Sequence, residues 1–371
     1  MALGKVSTYN LNLGQGAVTE VERYFLYIGS ASKNNGQILA LNQDSDLDVQ
    51  LGVAASELKT QITAARLNGG DRWACLAMPL GTTDTWQAAL TKAMQHGYSV
   101  EGVVITKPVT AAADLSAMND AAVAVGNTYA RRVFVMAATA GIQAQQTWSE
   151  YQIAQKAITE GLSAPRVMVV PQLHGNNLGV LAGRLVNAAV SIADSPMRVA
   201  TGAVLGLGET PTDKDGIPLQ MATLAVLDAA RLSVPQTYAD YPGVFWGDGN
   251  LLDAPGSDYQ VIENLRVVDK AARRVRILLI QRIADRRLNN SANSVAKNIT
   301  ALMAPLRAMA KSTTVGDQVF PGEIEQPKDG DIVINWLSKT SVVAYLTLRP
   351  LNCPKDITAN IALDLSTADS E

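Results

Sequence analysis

Between residues 24 and 232 short β-forming runs alternate with helical stretches, and that alternation limits the chain to few architectures. The β-rich runs are 24–28, 72–78, 102–106, 132–138, 166–170 and 197–205. The helical stretches between and after them are 56–67, 84–96, 113–129, 146–161, 178–194 and 219–232. Several of the runs are continuously apolar, as strands are when helices cover both faces of a sheet. The pattern predicts an α/β body built on a doubly wound, mostly parallel sheet. Its helices are rich in alanine (Ala111–Ala113, Ala121–Ala122, Ala188–Ala189), which allows close packing on the sheet.

From Val234 to Asp253 the texture changes to Pro, Tyr, Trp and Gly. Pro242-Gly243 is a turn signal flanked by β-formers, so a hairpin closing the body is expected there. Residues 253–257 form the joint to a second unit, with Ser257 or Asp258 placed to cap its first helix. That long helix is expected over 259–288, about 45 Å at the usual rise. Val261, Leu265, Val268, Ala272, Val275, Leu279 and Ile283 give it a near-heptad apolar stripe. A second helix is expected over 295–311, then strands over 331–337 and 342–348 around a Ser-Lys-Thr turn. The last strand, 357–365, alternates Ile357, Ala359, Ile361, Leu363 and Leu365 with mostly polar residues, the clearest strand signal in the chain. At the other end Tyr9, Leu11 and Leu13 alternate with Thr8, Asn10 and Asn12 before Gly14-Gln-Gly16 breaks the run. That extended arm pairs either with its own domain or with a neighbour. The expected division is an arm (1–20), an α/β body (21–257), a C-terminal α+β module (258–350) and a second strand arm (351–371).

Composition removes several functional classes. At 371 residues, 47% hydrophobic and 18% charged, the chain has ample core and lies far from the disordered range. Cys75 and Cys353 have no CxxC partner, which leaves neither a disulfide framework nor a zinc site; Cys75 reads as a small core residue. No signal-peptide pattern opens the sequence and no apolar run approaches about 18 residues, so a soluble protein of a reducing cytosol is expected.

A doubly wound body invites a search for phosphate loops. No GxxxxGK[ST] occurs, Gly14-Gln-Gly16 lacks a third glycine, and Gly206-Leu-Gly208 opens no helix. His174 follows a strand at the sheet end where α/β enzymes place catalytic groups, but it has no nucleophile elbow and no second histidine at ligand spacing. His96 stands at a helix end. Asp44, Asp46 and Asp48 lack the glycine and distal glutamate of a calcium loop and read as an acidic surface loop. No cofactor and no metal site are expected.

One charge feature stands out. Residues 263–311 carry eleven basic and three acidic side chains, whereas the whole chain has a net charge of -3. This is either a solvated helix face with internal pairs such as Asp269–Arg273 or a docking surface for an acidic partner. Interleaved surface aromatics, the mark of a nucleic-acid surface, are lacking.

The combination of an N-terminal extended arm, an α/β body, and two helices followed by a terminal strand resembles the contractile-tail sheath proteins of bacteriophages and related injection machines. The resemblance covers most of the chain and is strongest from Tyr241-Pro-Gly-Val-Phe-Trp-Gly through the basic helix to the closing strand. It is closest to the short sheath proteins of Mu-like phages and prophages. It implies a structural protein of the virion tail, assembled in the host cytoplasm, that stacks as hexameric rings around a tail tube. Contraction would drive that tube through the host envelope. Its implied partners are further copies of itself, the tube protein, and baseplate and tail terminator proteins, with no nucleic acid or membrane among them. Neighbours in such a sheath are linked by donated strands. The implied donors are Ser7, Tyr9, Leu11 and Leu13, and Ile357, Ala359, Ile361, Leu363 and Leu365. The implied acceptor hairpin carries Ile332, Ile334, Trp336, Val343 and Tyr345, with Gly14-Gln-Gly16 and Asn352-Cys-Pro354 as flexible joints. Lys297, Arg307 and Lys311 on the shorter helix are the implied tube-facing charges. The competing readings are a nucleotide- or sugar-binding α/β enzyme, which leaves the arms unexplained, and a nucleic-acid binder, which accounts for the basic helices alone.

Overall fold

A computed structural model describes residues 21–315 and 318–363. Its centre is a seven-stranded sheet in the order β2-β3-β1-β4-β5-β6-β9. The strands are β1 (Phe25–Ser30), β2 (Leu39–Asn42), β3 (Ala74–Leu80), β4 (Gly102–Val109), β5 (Phe134–Thr139), β6 (Ala164–Pro171) and β9 (Leu251–Leu252). The five central strands run parallel; β2 and β9 close the edges antiparallel. The covering helices are α1 (Leu47–Leu51), α2 (Glu57–Asn68), α3 (Trp86–Gln95), α4 (Ala112–Tyr129), α5 (Trp148–Thr159), α6 (Asn177–Val186) and α7 (Met221–Ala229).

Period-two alternation sends the strand side chains to opposite layers. Leu26, Ile28, Val103, Val135 and Val167 pack against α3, α4, α5 and α7 through Leu90, Met118, Tyr151 and Leu227. Phe25, Tyr27, Val104, Phe134 and Met168 pack against α2 and α6 through Leu58, Ile62 and Leu181. The body is therefore a mixed α/β unit with a mostly parallel sheet covered on both faces. On one face α2 and α6 approach almost backbone to backbone. A Cβ added at Gly179 would fall 2.1 Å from the Gln61 carbonyl oxygen, and one at Gly183 would fall 2.4 Å from that of Ala65.

Four local expectations change. The run 197–205 forms no strand: a 3-10 turn at Val199–Thr201 replaces it. The buried Arg184 guanidinium takes the carbonyls of Pro196, Arg198 and Gly202, the last two being acceptors that strand pairing would have needed. Helix α6 stops at Val186 because the next residue, Asn187, turns its side chain to the Ala189 N–H and the Asn68 carbonyl. The hairpin of β7 (Pro235–Tyr238) and β8 (Tyr241–Trp246) turns at Asp240, whose φ is 59°, and not at Pro242-Gly243, which lies inside β8. Asp46 caps α1 and Asp48 pairs with Lys59, so the acidic triplet marks a helix start and not a loop.

The C-terminal module holds α8 (Ile262–Ile280), α9 (Ala292–Met309), a short hairpin β10 (Thr313–Val315)–β11 (Gln318–Phe320), and the hairpin β12 (Ile332–Trp336)–β13 (Val342–Leu346). Val267, Ala271 and Val275 of α8, Leu302 and Leu306 of α9, and Ile332 form its own core. Val261 stands at the N-cap of α8 and makes no side-chain cap bond, so neither Ser257 nor Asp258 serves as the cap. It ends eight residues short of the expected Leu288. Asp285 accepts the Arg287 N–H and guanidinium, and Ala284 adopts a φ of 59°, a local turn that displaces helical bonding. Past β13, residues 351–363 are exposed and form no strand, so the expected strand at 357–365 is unpaired over its described part. Ser7, Tyr9, Leu11, Leu13 and Leu365 lie outside the described residues.

Candidate assembly surface

The β12–β13 hairpin is antiparallel, with Ile332 opposite Leu346, Ile334 opposite Ala344 and Trp336 opposite Val342. Ile332, Ile334 and Trp336 share the face that looks toward the module core, where Ile332 is buried and Ile334 half-buried. Val343 and Tyr345 lie on the opposite face, Tyr345 being 58% exposed. The five expected acceptor residues thus divide between two faces of one ribbon. Among the described residues both edges of this two-stranded sheet are unpaired. Open edges present rows of free N–H and C=O groups, the requirement for strand addition.

Beside the hairpin tip an apolar groove of about 740 Å³ runs between the turn after α8, α9 and β12. Leu279, Ile283, Leu302, Ile334 and Trp336 line it. The Trp336 indole N–H is buried there and meets no acceptor among the described residues. Ile283 is 76% exposed at its rim.

Most of the basic charge on α8 turns inward. Arg266 and Glu101, each 2% exposed, form a bidentate pair at 2.7 and 2.9 Å. Asp269 receives two bonds from Arg166 at 2.9 Å and one from Arg132 at 3.3 Å; it does not pair with Arg273 as the helix spacing suggests. Arg273 reaches Glu22 at 2.8 Å, and Lys270 pairs with Glu323. The Glu101, Asp269 and Glu22 ties fasten the C-terminal module to the body, whereas Lys270–Glu323 lies within the module. Burial works against the Glu22 carboxylate, but the Arg273 guanidinium outweighs it and holds its pKa below the usual range. Lys297 and Arg307, on α9, and Lys311, just beyond it, are exposed. Lys297 and Arg307 stand about 80° apart around the helix axis, on one face. The Arg307 guanidinium touches the Met303 sulfur at 3.5 Å.

At the carboxyl ends of β1 and β4, the place where doubly wound folds bind ligands, the two strands pack closely. The buried Thr106 side chain occupies the space a Cβ on Gly29 would take. His174 serves the turn before α6: its N–H donates to Asn177 Oδ1 at 2.6 Å, its ring meets the same amide, and burial lowers its pKa. Among the described residues no group of three or more His, Cys, Asp or Glu side chains is arranged to hold a metal ion.

The described chain superimposes on solved contractile assemblies over nearly its full length. It matches the sheath of an extracellular contractile injection system (PVC) in the contracted state, with a TM-score of 0.65, 13% identity, and 98% of both chains covered. It matches the contracted helical sheath of the anti-feeding prophage with a TM-score of 0.60, 14% identity, and 97% of this chain and 99% of the other covered. A protein of Haemophilus phage HP1 (strain HP1c1), named for a tail sheath role, is 43% identical over 365 residues, covering 96% of this chain and 97% of its own length. The class so defined is the structural tail sheath protein of phages and contractile injection systems. Within it the chain belongs to the DUF2586 family, whose N-terminal domain matches residues 3–250 and whose C-terminal domain matches residues 258–366.

Proposed function

We propose that this sheath protein assembles as stacked hexameric rings around a tail tube and that its copies are linked by donated strands. Ile357, Ala359, Ile361, Leu363 and Leu365 would form one donor and Ser7, Tyr9, Leu11 and Leu13 the other, each lying along an edge of a β12–β13 hairpin. One observation carries the reading: among the described residues, a hairpin with both edges open and a chain segment whose alternating apolar side chains have no cover stand on the same molecule. Ile357 is 80%, Ile361 95% and Leu363 81% exposed. Exposed alternating apolar residues are unfavourable in a monomer and become buried when the segment joins a sheet.

Lys297, Arg307 and Lys311 would face the tube, with baseplate and tail terminator proteins at the two ends of the cylinder and assembly taking place in the host cytoplasm. The role is mechanical, with no catalysis and no cofactor. Negative-stain microscopy of the full chain beside versions lacking residues 1–14 or 356–371 tests the linking. Hollow cylinders from the intact chain and soluble monomers from both truncations are expected. Stable monomers from all three would overturn it.

A further inference from the structure

Each end of the described chain is tied to the body by side-chain ion pairs, and both sets of ties meet the same helix. At the N-terminal end Glu22, 9% exposed, accepts from Arg273 of α8. The next residue donates its backbone N–H to Glu101 at 2.6 Å, the carboxylate that also holds Arg266. At the C-terminal end Lys355 leaves an otherwise exposed stretch and places its ammonium 2.7 Å from both oxygens of Asp248 and 2.7 Å from Glu263 of α8.

The Lys355 socket is built for a cation. Asp248 also accepts from Ser195 and from the Gly249 N–H, which fixes its carboxylate. Asp228 of α7 stands close enough to act on the same charges and is itself bonded by Asn250 at 2.8 Å. Glu263 is 7% exposed, and its second oxygen is buried without a partner among the described residues. Removing the ammonium would leave buried carboxylates facing one another, an expensive arrangement. Burial opposes the Lys355 charge, but Glu263 and Asp248 prevail and keep the ammonium protonated above its ordinary range. Among the described residues this is the one hydrogen-bonded or ionic tie of the stretch 351–363 to the body.

Glu263 and Arg273 lie ten positions apart on α8, about 15 Å along its axis. We propose that α8 is the common anchor of both chain ends: Glu22–Arg273 and Lys355–Glu263/Asp248 are clasps that fix where each arm leaves the subunit. This rests on the strand-linking reading above and adds a mechanical consequence to it. Load entering through either arm is delivered to a helix that Glu101–Arg266 and Asp269–Arg166 already fasten to the sheet. It does not peel residues 351–355 or 21–24 from the body. Both ends share one rigid element, so the two inter-subunit links keep a fixed spacing while subunits rotate.

The test uses the full-length protein before and after assembly. Amine acetylation followed by mass spectrometry reads the clasp in the unassembled wild-type chain, with exposed Lys339 as internal reference. Lys355 is expected to react about ten-fold more slowly than Lys339, a ratio within reach of a partly buried pair. Equal rates would overturn the clasp without any variant needing to fold. In the second arm, Lys355→Met and Glu22→Gln leave both donor segments intact. They are expected to form cylinders that fragment when contracted in mild denaturant, whereas wild-type cylinders stay whole. Contraction to intact cylinders of wild-type length would overturn the load-bearing role. Failure of strand linking reads differently: the 1–14 and 356–371 truncations would still form cylinders, whatever the reactivity of Lys355.

Discussion

Arg266 and Glu101 stand 165 residues apart in sequence and meet in a bidentate ion pair that is 98% shielded from solvent on both sides. The pair joins α8 to the start of β4, so it lies on the seam between the C-terminal module and the sheet. Breaking a buried pair from one side leaves the other charge uncompensated, at a cost of about 3–5 kcal/mol. Arg266→Met or Glu101→Gln alone should lower the unfolding free energy by an amount in that range, read as a lower urea midpoint at unchanged slope. The double replacement Arg266→Met with Glu101→Leu should recover much of it, because an apolar pair there has no charge to desolvate. Equilibrium denaturation of the unassembled chain checks both.

The α2–α6 contact gives a steric prediction. Gly179 faces the Gln61 carbonyl with no room for a side chain. Valine there must push two helices apart on the sheet face that also holds Leu58, Ile62 and Leu181. Overpacking of this kind costs about 1–3 kcal/mol. A lowered Tm for Gly179→Val, beside a small effect for Ala182→Gly one turn on, would separate the clash from simple helix propensity.

The body is largely readable from sequence because its signals are local. Ser56, Thr85 and Thr147 cap α2, α3 and α5, and the apolar runs mark five buried strands. The hairpin can be read in the same way, from the alternation Ile332, Ile334, Trp336. What sequence conceals is long-range. Nothing near Arg184 says that its guanidinium will gather the carbonyls of Pro196, Arg198 and Gly202, so the run 197–205 reads as a strand where a turn forms. The basic charge of α8 reads as surface because Glu101, Glu22 and Glu323 are remote in the chain. The near-heptad stripe likewise runs on through Ile283, toward the Asp285–Arg287 turn that keeps the helix from continuing. Lys355 carries no signal at all, being one lysine in a polar stretch whose partners lie 92 and 107 positions upstream.

Asp331 closes the base of the β12–β13 hairpin. Its carboxylate takes two bonds from Arg349 at 2.7 and 2.8 Å and one from the Lys328 N–H, and these hold its pKa at about 2, below the ordinary 3.8. A carboxylate whose folded pKa is depressed contributes stability that is complete above its unfolded pKa and is lost as pH falls through the folded value. The hairpin base should therefore weaken between about pH 4 and pH 2. The denaturation midpoint of the wild-type chain should fall through that window, and Asp331→Asn should flatten the fall while lowering the midpoint at pH 7.

Ile361 separates assembly from folding. At 95% exposure it contributes nothing to the subunit core, so Ile361→Pro should shift monomer stability by less than about 0.5 kcal/mol. In a donated strand the same proline removes a ladder hydrogen bond and resists the pairing geometry. Unchanged thermal unfolding together with loss of cylinders by electron microscopy is the expected result. Normal cylinders would remove the C-terminal segment from the list of donors.

Lys297 and Arg307 offer the parallel test for the tube. Both are exposed on one face of α9, beyond the inward-turned charges of α8. An acidic tube surface would be held there mainly by screened Coulomb forces, whose reach is about 10 Å at 0.1 M salt. Lys297→Glu with Arg307→Glu reverses the charge of that face without touching the hairpin edges or the terminal segments. The variant should still assemble into cylinders by itself. It should fail to co-sediment with purified tubes at low salt, where the wild-type chain binds, and wild-type binding should itself weaken steeply as salt rises. Wild-type binding that ignores salt, or a charge-reversed chain that still coats tubes, would place the tube contact on another face of the module.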